Sequence, residues 1–181
     1  MKNVNWKDVE EAKDFTRICA GGYVCRVIKV EDDPQKEYLK IYCDPVEGEF
    51  KNFGSDTELR TGQDWNYIRF FRSYKSKALN FFKSWLIALE KSNPGKFSAD
   101  NFDGNESKMV GLQVGLVIAD EEYLKQDGSK GLRTYVYKTL TPEDIRKKNF
   151  KVPDMKLLPP DAAQMQTFNC SASDLKDECP F

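Results

Sequence analysis

The predicted fold is decided by the stretch from Tyr23 to Cys43, YVCRVIKVEDDPQKEYLKIYC. Its beginning, Tyr23 to Val30, is rich in β-branched residues and apolar on both alternating faces, which is typical of a long strand shared by two layers. Its end, Glu37 to Cys43, alternates strictly between apolar and polar residues, which indicates a second strand. The acidic segment between them closes with Pro34 and predicts a turn. This stretch is therefore predicted to form a β-hairpin, the first two strands of the fold.

The alternation in the second strand predicts which of its side chains face the core. Successive side chains of a strand point to opposite faces of the sheet. The inward side chains are predicted to be Leu39, Ile41 and Cys43. The outward side chains are predicted to be Tyr38, Lys40 and Tyr42.

The rest of the chain predicts three more strands and one long helix. The strands are expected at Phe50–Leu59, Met109–Ala119 and Leu132–Leu140, and the helix at Ser73–Ser92, where apolar residues recur at helical spacing. Thr141 and the proline after it predict a short helix following the last strand. The order strand, strand, strand, helix, strand, strand is that of the OB-fold, a five-stranded Greek-key barrel that binds oligonucleotides or oligosaccharides. Other small barrels and α+β sandwiches remain alternatives.

Length and charge indicate one domain with a tail. The 181 residues suffice for one core. From residue 154 the composition shifts to proline, glutamine and serine, which predicts an OB-like domain at 1–153 and a disordered tail at 154–181. The tail has five acidic and two basic residues, hence a charge of −3, and the total of −1 leaves +2 on the body. We expect the body to bind an anion and the tail to bind a basic partner.

Several functional classes are excluded by composition. The chain has no histidine, which removes Ser-His-Asp and Cys-His nucleophiles, histidine-ligated zinc and imidazole acid-base catalysis. Its five cysteines form no Cys-x-x-Cys pair, so we expect a reduced, cytoplasmic protein. The sequence contains no run of eighteen apolar residues that would predict a membrane span. No catalytic residue, resident metal or cofactor is expected.

The segment from Trp65 to Lys77 combines aromatic and basic residues and contains no acid. Unpaired bases stack on aromatic rings for about 1–3 kcal/mol each, while arginine and lysine contact phosphates, so the segment predicts single-stranded nucleic-acid binding. Part of it could instead pack into the core, as we expect for Phe81, Phe82 and Trp85 at helical spacing. The candidate binding residues are Trp65, Tyr67, Arg69, Arg72, Tyr74, Lys75 and Lys77.

Two strand faces are further candidates for contacting nucleic acid. The second and third strands of an OB barrel usually carry the bound strand. This face predicts Lys36, Tyr38, Lys40, Tyr42, Phe50 and Lys51 as contacts. A similar stripe on the last strand contains Arg133, Tyr135 and Tyr137. Outward tyrosines are also common as cross-strand pairs, which is the alternative for both faces.

The last nine residues, SDLKDECPF, resemble the C-terminal tip of bacterial single-stranded DNA-binding proteins. That tip follows a disordered linker and combines several acids with a final Pro-Phe. Lys176 among the acids and Cys179 in place of isoleucine or leucine depart from the family pattern. The resemblance implies recruitment of partner enzymes by Asp177, Glu178, Pro180 and Phe181.

The body is similar to a family of small proteins of Gram-positive phages and prophages. The similarity is carried by the segments AGGYV at 20–24, VED at 30–32, YLKI at 38–41, EGEF at 47–50 and KVP at 151–153. Some members are single-stranded DNA-binding proteins of replication and recombination modules. The resemblance implies a phage-encoded protein in the host cytoplasm and supplies no catalytic residue.

Together these features predict a non-enzymatic single-stranded DNA-binding protein whose tail recruits replication or recombination proteins. Proteins of this kind often lengthen their binding site by self-association, so a homo-oligomer is also considered. One alternative is a protein-only adaptor. Another is a metal-dependent nuclease or resolvase that uses acids at turns and strand ends, namely Asp32, Asp33, Asp44, Glu47, Glu49, Asp56 and Glu58.

Overall fold

The computed structural model describes residues 17–159. The strands are β1 (Gly21–Asp33), β2 (Tyr38–Pro45), β3 (Ile68–Ser73), β4 (Gln113–Leu124) and β5 (Lys130–Leu140). The α-helices are α1 (Phe53–Thr61), α2 (Leu79–Ser92) and α3 (Pro142–Arg146). Short 3-10 helices lie at Ser76–Ala78 and Glu106–Met109. Within residues 17–159, every helix is too short or too polar to cross a membrane.

All five strands form one antiparallel sheet in the order β3-β2-β1-β4-β5. The predicted mainly β class is therefore confirmed, and α2 lies between the third and fourth strands as expected. Although β3 and β5 are the two edge strands, some of their Cα atoms lie within 8 Å of each other. The sheet is consequently strongly curved, with a concave inner face.

The inner face holds the main core. Leu39, Ile41 and Cys43 point into it, which confirms the predicted alternation of β2. Trp85 and Leu89 of α2 pack against these residues and are fully buried. The helix thus closes the concave side, and any surface for a partner on the sheet must lie on the outer face.

Part of the outer face is covered by α3. Its Ile145 packs against Val24 of β1 and Val117 of β4. Gly115 permits this approach, because a Cβ there would lie 2.6 Å from the carbonyl oxygen of Thr141. Thr141 caps the helix by accepting a hydrogen bond from the Asp144 N–H at 3.2 Å, as the sequence predicted.

The third strand lies later in the chain than predicted. Residues 50–59 were expected to be a strand, but α1 occupies most of this range and β3 begins at Ile68. The start of α1 is stabilised by the buried carboxylate of Asp44, a residue that precedes the helix in the sequence and belongs to β2. The carboxylate accepts hydrogen bonds from the N–H groups of Gly54 at 2.8 Å and Ser55 at 3.0 Å. Gly62 ends the helix in the left-handed conformation that glycine favours.

The ends of the described region lie beside β4. Lys156 forms an isolated parallel bridge with Glu121, and its backbone bonds to Asp120 and Glu122. Residues 154–159, at the start of the predicted tail, therefore run along this strand. The four predicted partner-binding residues of the tip, Asp177, Glu178, Pro180 and Phe181, lie outside the described residues.

Candidate nucleic-acid interface

The outer face of β2 and β3 brings aromatic and basic side chains together. In the antiparallel register, Lys40 lies opposite Phe71 and Tyr42 lies opposite Arg69. These residues share one face because side chains alternate along both strands. The face lies outside the region that Ile145 of α3 covers.

Tyr38 and Phe71 form the aromatic element of this face. Their ring centroids are 5.0 Å apart and the planes meet at 80°, an edge-to-face arrangement. Phe71 is 48% exposed and Tyr38 is half-buried. Because the neighbouring ring already restricts the Phe71 side chain, a planar ligand can stack on Phe71 with little further loss of side-chain entropy.

Two lysine side chains lie over the Tyr42 ring. Lys29 Nζ is 5.2 Å and Lys40 Nζ 4.8 Å from its ring centroid, and Arg69 is opposite in register. The Tyr42 hydroxyl donates a hydrogen bond to Glu31 Oε2 at 2.8 Å. Tyr42 was expected to be exposed, but it is only 2% exposed because these groups and Tyr67 cover it. It therefore supports the basic residues and cannot itself stack on a base.

Tyr67 is likewise buried, contrary to the prediction. Its ring packs against Gly54 of α1, where a Cβ would lie 2.3 Å from the ring, and its hydroxyl donates to Glu58 Oε2 at 2.6 Å. The helix that replaced the predicted strand thus removes Tyr67 from the candidate surface. Trp65, two residues earlier, is 47% exposed.

Arg72 faces the core side of β3 and not the outer face. It lies opposite Leu39, and its guanidinium is 4.7 Å from the Phe70 ring centroid and 5.9 Å from that of Trp85. Burial lowers the pKa of Arg72 to about 10. Arg72 was expected on the outer face, but side chains alternate along β3, so Arg69 and Phe71 point outward and Phe70 and Arg72 point to the core side.

Phe50 and Tyr74 were also predicted to contact nucleic acid from an exposed surface, but both rings pack against other rings of the protein. Phe50 precedes α1 and packs edge-to-face on Tyr23 and Phe53, with centroids 6.0 and 5.6 Å away. Tyr74 packs on Phe82 at 6.1 Å and donates its hydroxyl to Asp32 at 2.9 Å. Both rings are therefore half-buried parts of the structure. The predicted lysines outside the strands are exposed, namely Lys36, Lys51, Lys75 and Lys77.

Two of the three candidate residues on β5, Arg133 and Tyr135, are held by contacts or burial within the protein. Arg133 Nε donates to Glu121 Oε1 at 2.7 Å, and its guanidinium is 5.3 Å from the Tyr123 ring centroid. Tyr135 is half-buried, and burial raises its pKa. Tyr137 is 52% exposed. This stripe offers one free ring and no unpaired cation among Arg133, Tyr135 and Tyr137.

Most of the acidic residues named in the nuclease alternative form hydrogen bonds or ion pairs within the protein. Asp44 caps α1, Glu58 accepts from Tyr67, and Asp32 accepts from Tyr74. Glu47 pairs with Arg146 at 3.2 Å. Between residues 17 and 159, no three histidine, cysteine, aspartate or glutamate side chains are grouped as metal ligands. Asp33 is half-buried and accepts the Lys36 N–H at 3.2 Å, whereas Glu49 and Asp56 are exposed.

Three residues of the face were missed by the sequence analysis. They are Phe71, Lys29 and Glu31. Phe71 lies within the aromatic and basic segment Trp65–Lys77 but was not among its candidate residues. Lys29 lies on the first predicted strand and Glu31 in the predicted turn after it, and the surface of neither was considered. Phe71 alternates with Arg69, a signal that becomes visible only once β3 is assigned. Lys29 reaches Tyr42 through the β1–β2 register, which includes a bulge between Val27 and Lys29.

Comparison with known proteins found no family model that matches this chain and no matching curated protein. The function is therefore inferred from the arrangement of its side chains.

Proposed function

We propose that this protein binds single-stranded DNA without sequence preference and makes or breaks no covalent bond. The observation that carries the proposal is the Tyr38–Phe71 ring pair on the outer face of β2 and β3, in which Phe71 is exposed, beside Arg69, Lys29 and Lys40. Every nucleobase has a π-face, so stacking on a ring accepts any sequence. The neighbouring cations would contact the phosphates on either side of a stacked base.

We further propose that the curved sheet is an OB-type barrel. Three features support it: β1 lies between β2 and β4, α2 connects β3 to β4, and the edge strands β3 and β5 approach each other. In OB-folds the face of the second and third strands is a common site for oligonucleotides. The aromatic and basic residues described above lie on the corresponding strands.

The tail and the biological setting complete the proposal. The acidic tail would recruit replication or recombination enzymes through Asp177, Glu178, Pro180 and Phe181, as the resemblance of the tip implies. The resemblance of the body implies a phage-encoded protein that acts in the host cytoplasm. Residues 154–159 run along β4, so a tail leaving at this point starts on a different strand from β2 and β3.

A titration with a fluorescein-labelled thymidine oligonucleotide tests the proposal. Phe71→Ala should weaken binding by about 1–3 kcal/mol, the contribution of one base stack, which is roughly 5- to 150-fold in Kd. Phe81→Ala is the matched control, because Phe81 is 67% exposed on α2, the helix that packs on the inner face. The control should bind like the wild type.

Salt and strandedness supply the second criterion. The logarithm of the binding constant should fall linearly with the logarithm of salt concentration, by about 0.7 for each phosphate contacted. Duplex DNA should bind more weakly than the single strand. Equal loss of affinity in Phe71→Ala and Phe81→Ala, or affinity independent of salt, would contradict the proposal. Shortening of the oligonucleotide in the presence of magnesium would favour a nuclease.

A further inference from the structure

The Glu31 carboxylate lies among three side chains with hydrogen-bond donors on the outer face, those of Lys29, Lys40 and Tyr42. Lys29 Nζ lies 2.5 Å from Glu31 Oε1. The Tyr42 hydroxyl at 2.8 Å and Lys40 Nζ at 3.6 Å both approach Oε2. The hydrogen bonds from Lys29 and Tyr42 lower the pKa of Glu31, so the group is a carboxylate at neutral pH.

The same donors have the chemistry to bind other oxyanions. A phosphodiester carries one negative charge shared by two oxygens, as a carboxylate does, and lysine and phenol donors suit both. Glu31 is attached to β1 through a flexible side chain that is 40% exposed, so it can rotate into solvent. The three donors would then face a vacant anion site.

The position of this site matches the proposed path of the strand. In register, Glu31 lies opposite Lys40, and Lys40 lies opposite Phe71. Two of the three donors, Lys40 and the Tyr42 hydroxyl, belong to β2, which lies between β1 and the strand that carries Phe71, and neighbouring strands are about 4.8 Å apart. A phosphate held by these donors would therefore adjoin a base stacked on Phe71.

We propose that Lys29, Lys40 and the Tyr42 hydroxyl form a binding site for a backbone phosphate, and that Glu31 occupies this site in the free protein. The proposal rests on the function proposed above and adds that Glu31 limits the affinity for the single strand. Binding becomes an exchange of one anion for another, which lowers affinity and makes the strand easier to release. Glu31 thus acts as a negative determinant of affinity.

Glu31→Gln tests the proposal, because it removes the charge and keeps an oxygen that can accept from Tyr42. Oligonucleotide affinity at about 50 mM salt should rise about 5-fold, because no carboxylate has to leave the site before the phosphate binds. Asp100→Asn is the control, since Asp100 is exposed, follows α2 and pairs with Lys83, so its loss changes the net charge equally. Its affinity should stay within about twofold of the wild type.

Two further variants make the test specific. Glu31→Ala, which removes the whole carboxylate arm, should show the same gain. Lys29→Met in the Glu31→Gln background should abolish it, since the phosphate then loses a ligand. If the wild type binds and Phe71→Ala weakens binding, while Glu31→Gln binds no better than Asp100→Asn, the exchange is refuted and the proposed function stands. Failure of the wild type to bind single strands refutes the proposed function itself.

Discussion

Replacing Asp44 by alanine should destabilise the protein through the start of α1. The carboxylate is 2% exposed and accepts from the Gly54 N–H, the Ser55 N–H and the Ser55 hydroxyl at 2.8, 3.0 and 2.6 Å. Losing a capping acceptor costs about 0.5–2 kcal/mol, and a hydrogen bond to a charged group contributes about 1.5–3 kcal/mol. Ser55 is half-buried, so water can replace part of the loss. We therefore expect a decrease of about 3 kcal/mol in the free energy of unfolding.

Urea denaturation followed by circular dichroism and tryptophan fluorescence measures this change. Asp56→Ala is the control, because Asp56 is an exposed acid in the first turn of the same helix and should contribute less than about 1 kcal/mol through the helix dipole. In thermal unfolding, Asp44→Ala should lower Tm by about 6–12 °C. A loss below about 1 kcal/mol, or one equal to that of Asp56→Ala, would refute the capping role of Asp44.

Three more outcomes are expected. Arg69→Met should weaken oligonucleotide binding and reduce the slope of its salt dependence by about 0.7. Arg72→Met should leave the affinity within about twofold of the wild type, because Arg72 lies on the core side of β3. Equal effects of the two variants on binding would contradict the assigned faces. Burial raises the pKa of Tyr23 to about 12, above its ordinary value of 10.0, so the unfolded chain loses this proton at lower pH than the folded protein. The free energy of unfolding should therefore fall as pH rises from about 10 towards 12. Tyr23→Phe should show a smaller fall when both proteins are denatured in urea across this pH range. Gly115→Ala should destabilise the protein by about 1–3 kcal/mol in urea, because the new Cβ would meet the backbone oxygen of Thr141; unchanged stability would show that α3 can move away.

The strongest sequence patterns predicted the strands that carry the face. Alternation over Tyr38 to Cys43 gave the correct inward residues because that signal is local to one strand. The helix at residues 53–61 was missed because its capping acceptor, Asp44, lies ten residues away from Gly54 in the sequence. A stabilising contact of this kind has no local pattern, and the apolar spacing of the segment resembles that of an irregular strand.

Burial of individual rings depended on contacts that one strand cannot reveal. Tyr42 lies on the predicted outer face, yet Lys29, Lys40 and Tyr67 from other positions cover it. On β3, a shift of one residue exchanges the two faces, so Arg72 could not be distinguished from Phe71 until the strand was located.

The helix α2 shows the same limit for a helical pattern. Phe81 was expected in the core with Phe82, but it is 67% exposed. Adjacent residues of a helix point about 100° apart, so the stripe that buries Trp85 and Leu89 includes Phe82 at its edge and leaves Phe81 outside. The spacing identified the helix correctly and assigned one position to the wrong side.

Whether the β2–β3 face binds a single strand can be measured by photo-crosslinking to an oligonucleotide that contains 5-bromodeoxyuridine, followed by mass spectrometry of the adducts. We expect adducts on Phe71, which is exposed on the β2–β3 face, and on Tyr38, whose ring packs against it. Adducts should decrease as salt is added, in parallel with the loss of binding. Adducts confined to exposed rings elsewhere, such as Phe81 or Tyr137, with none on β2 or β3, would contradict binding at this face.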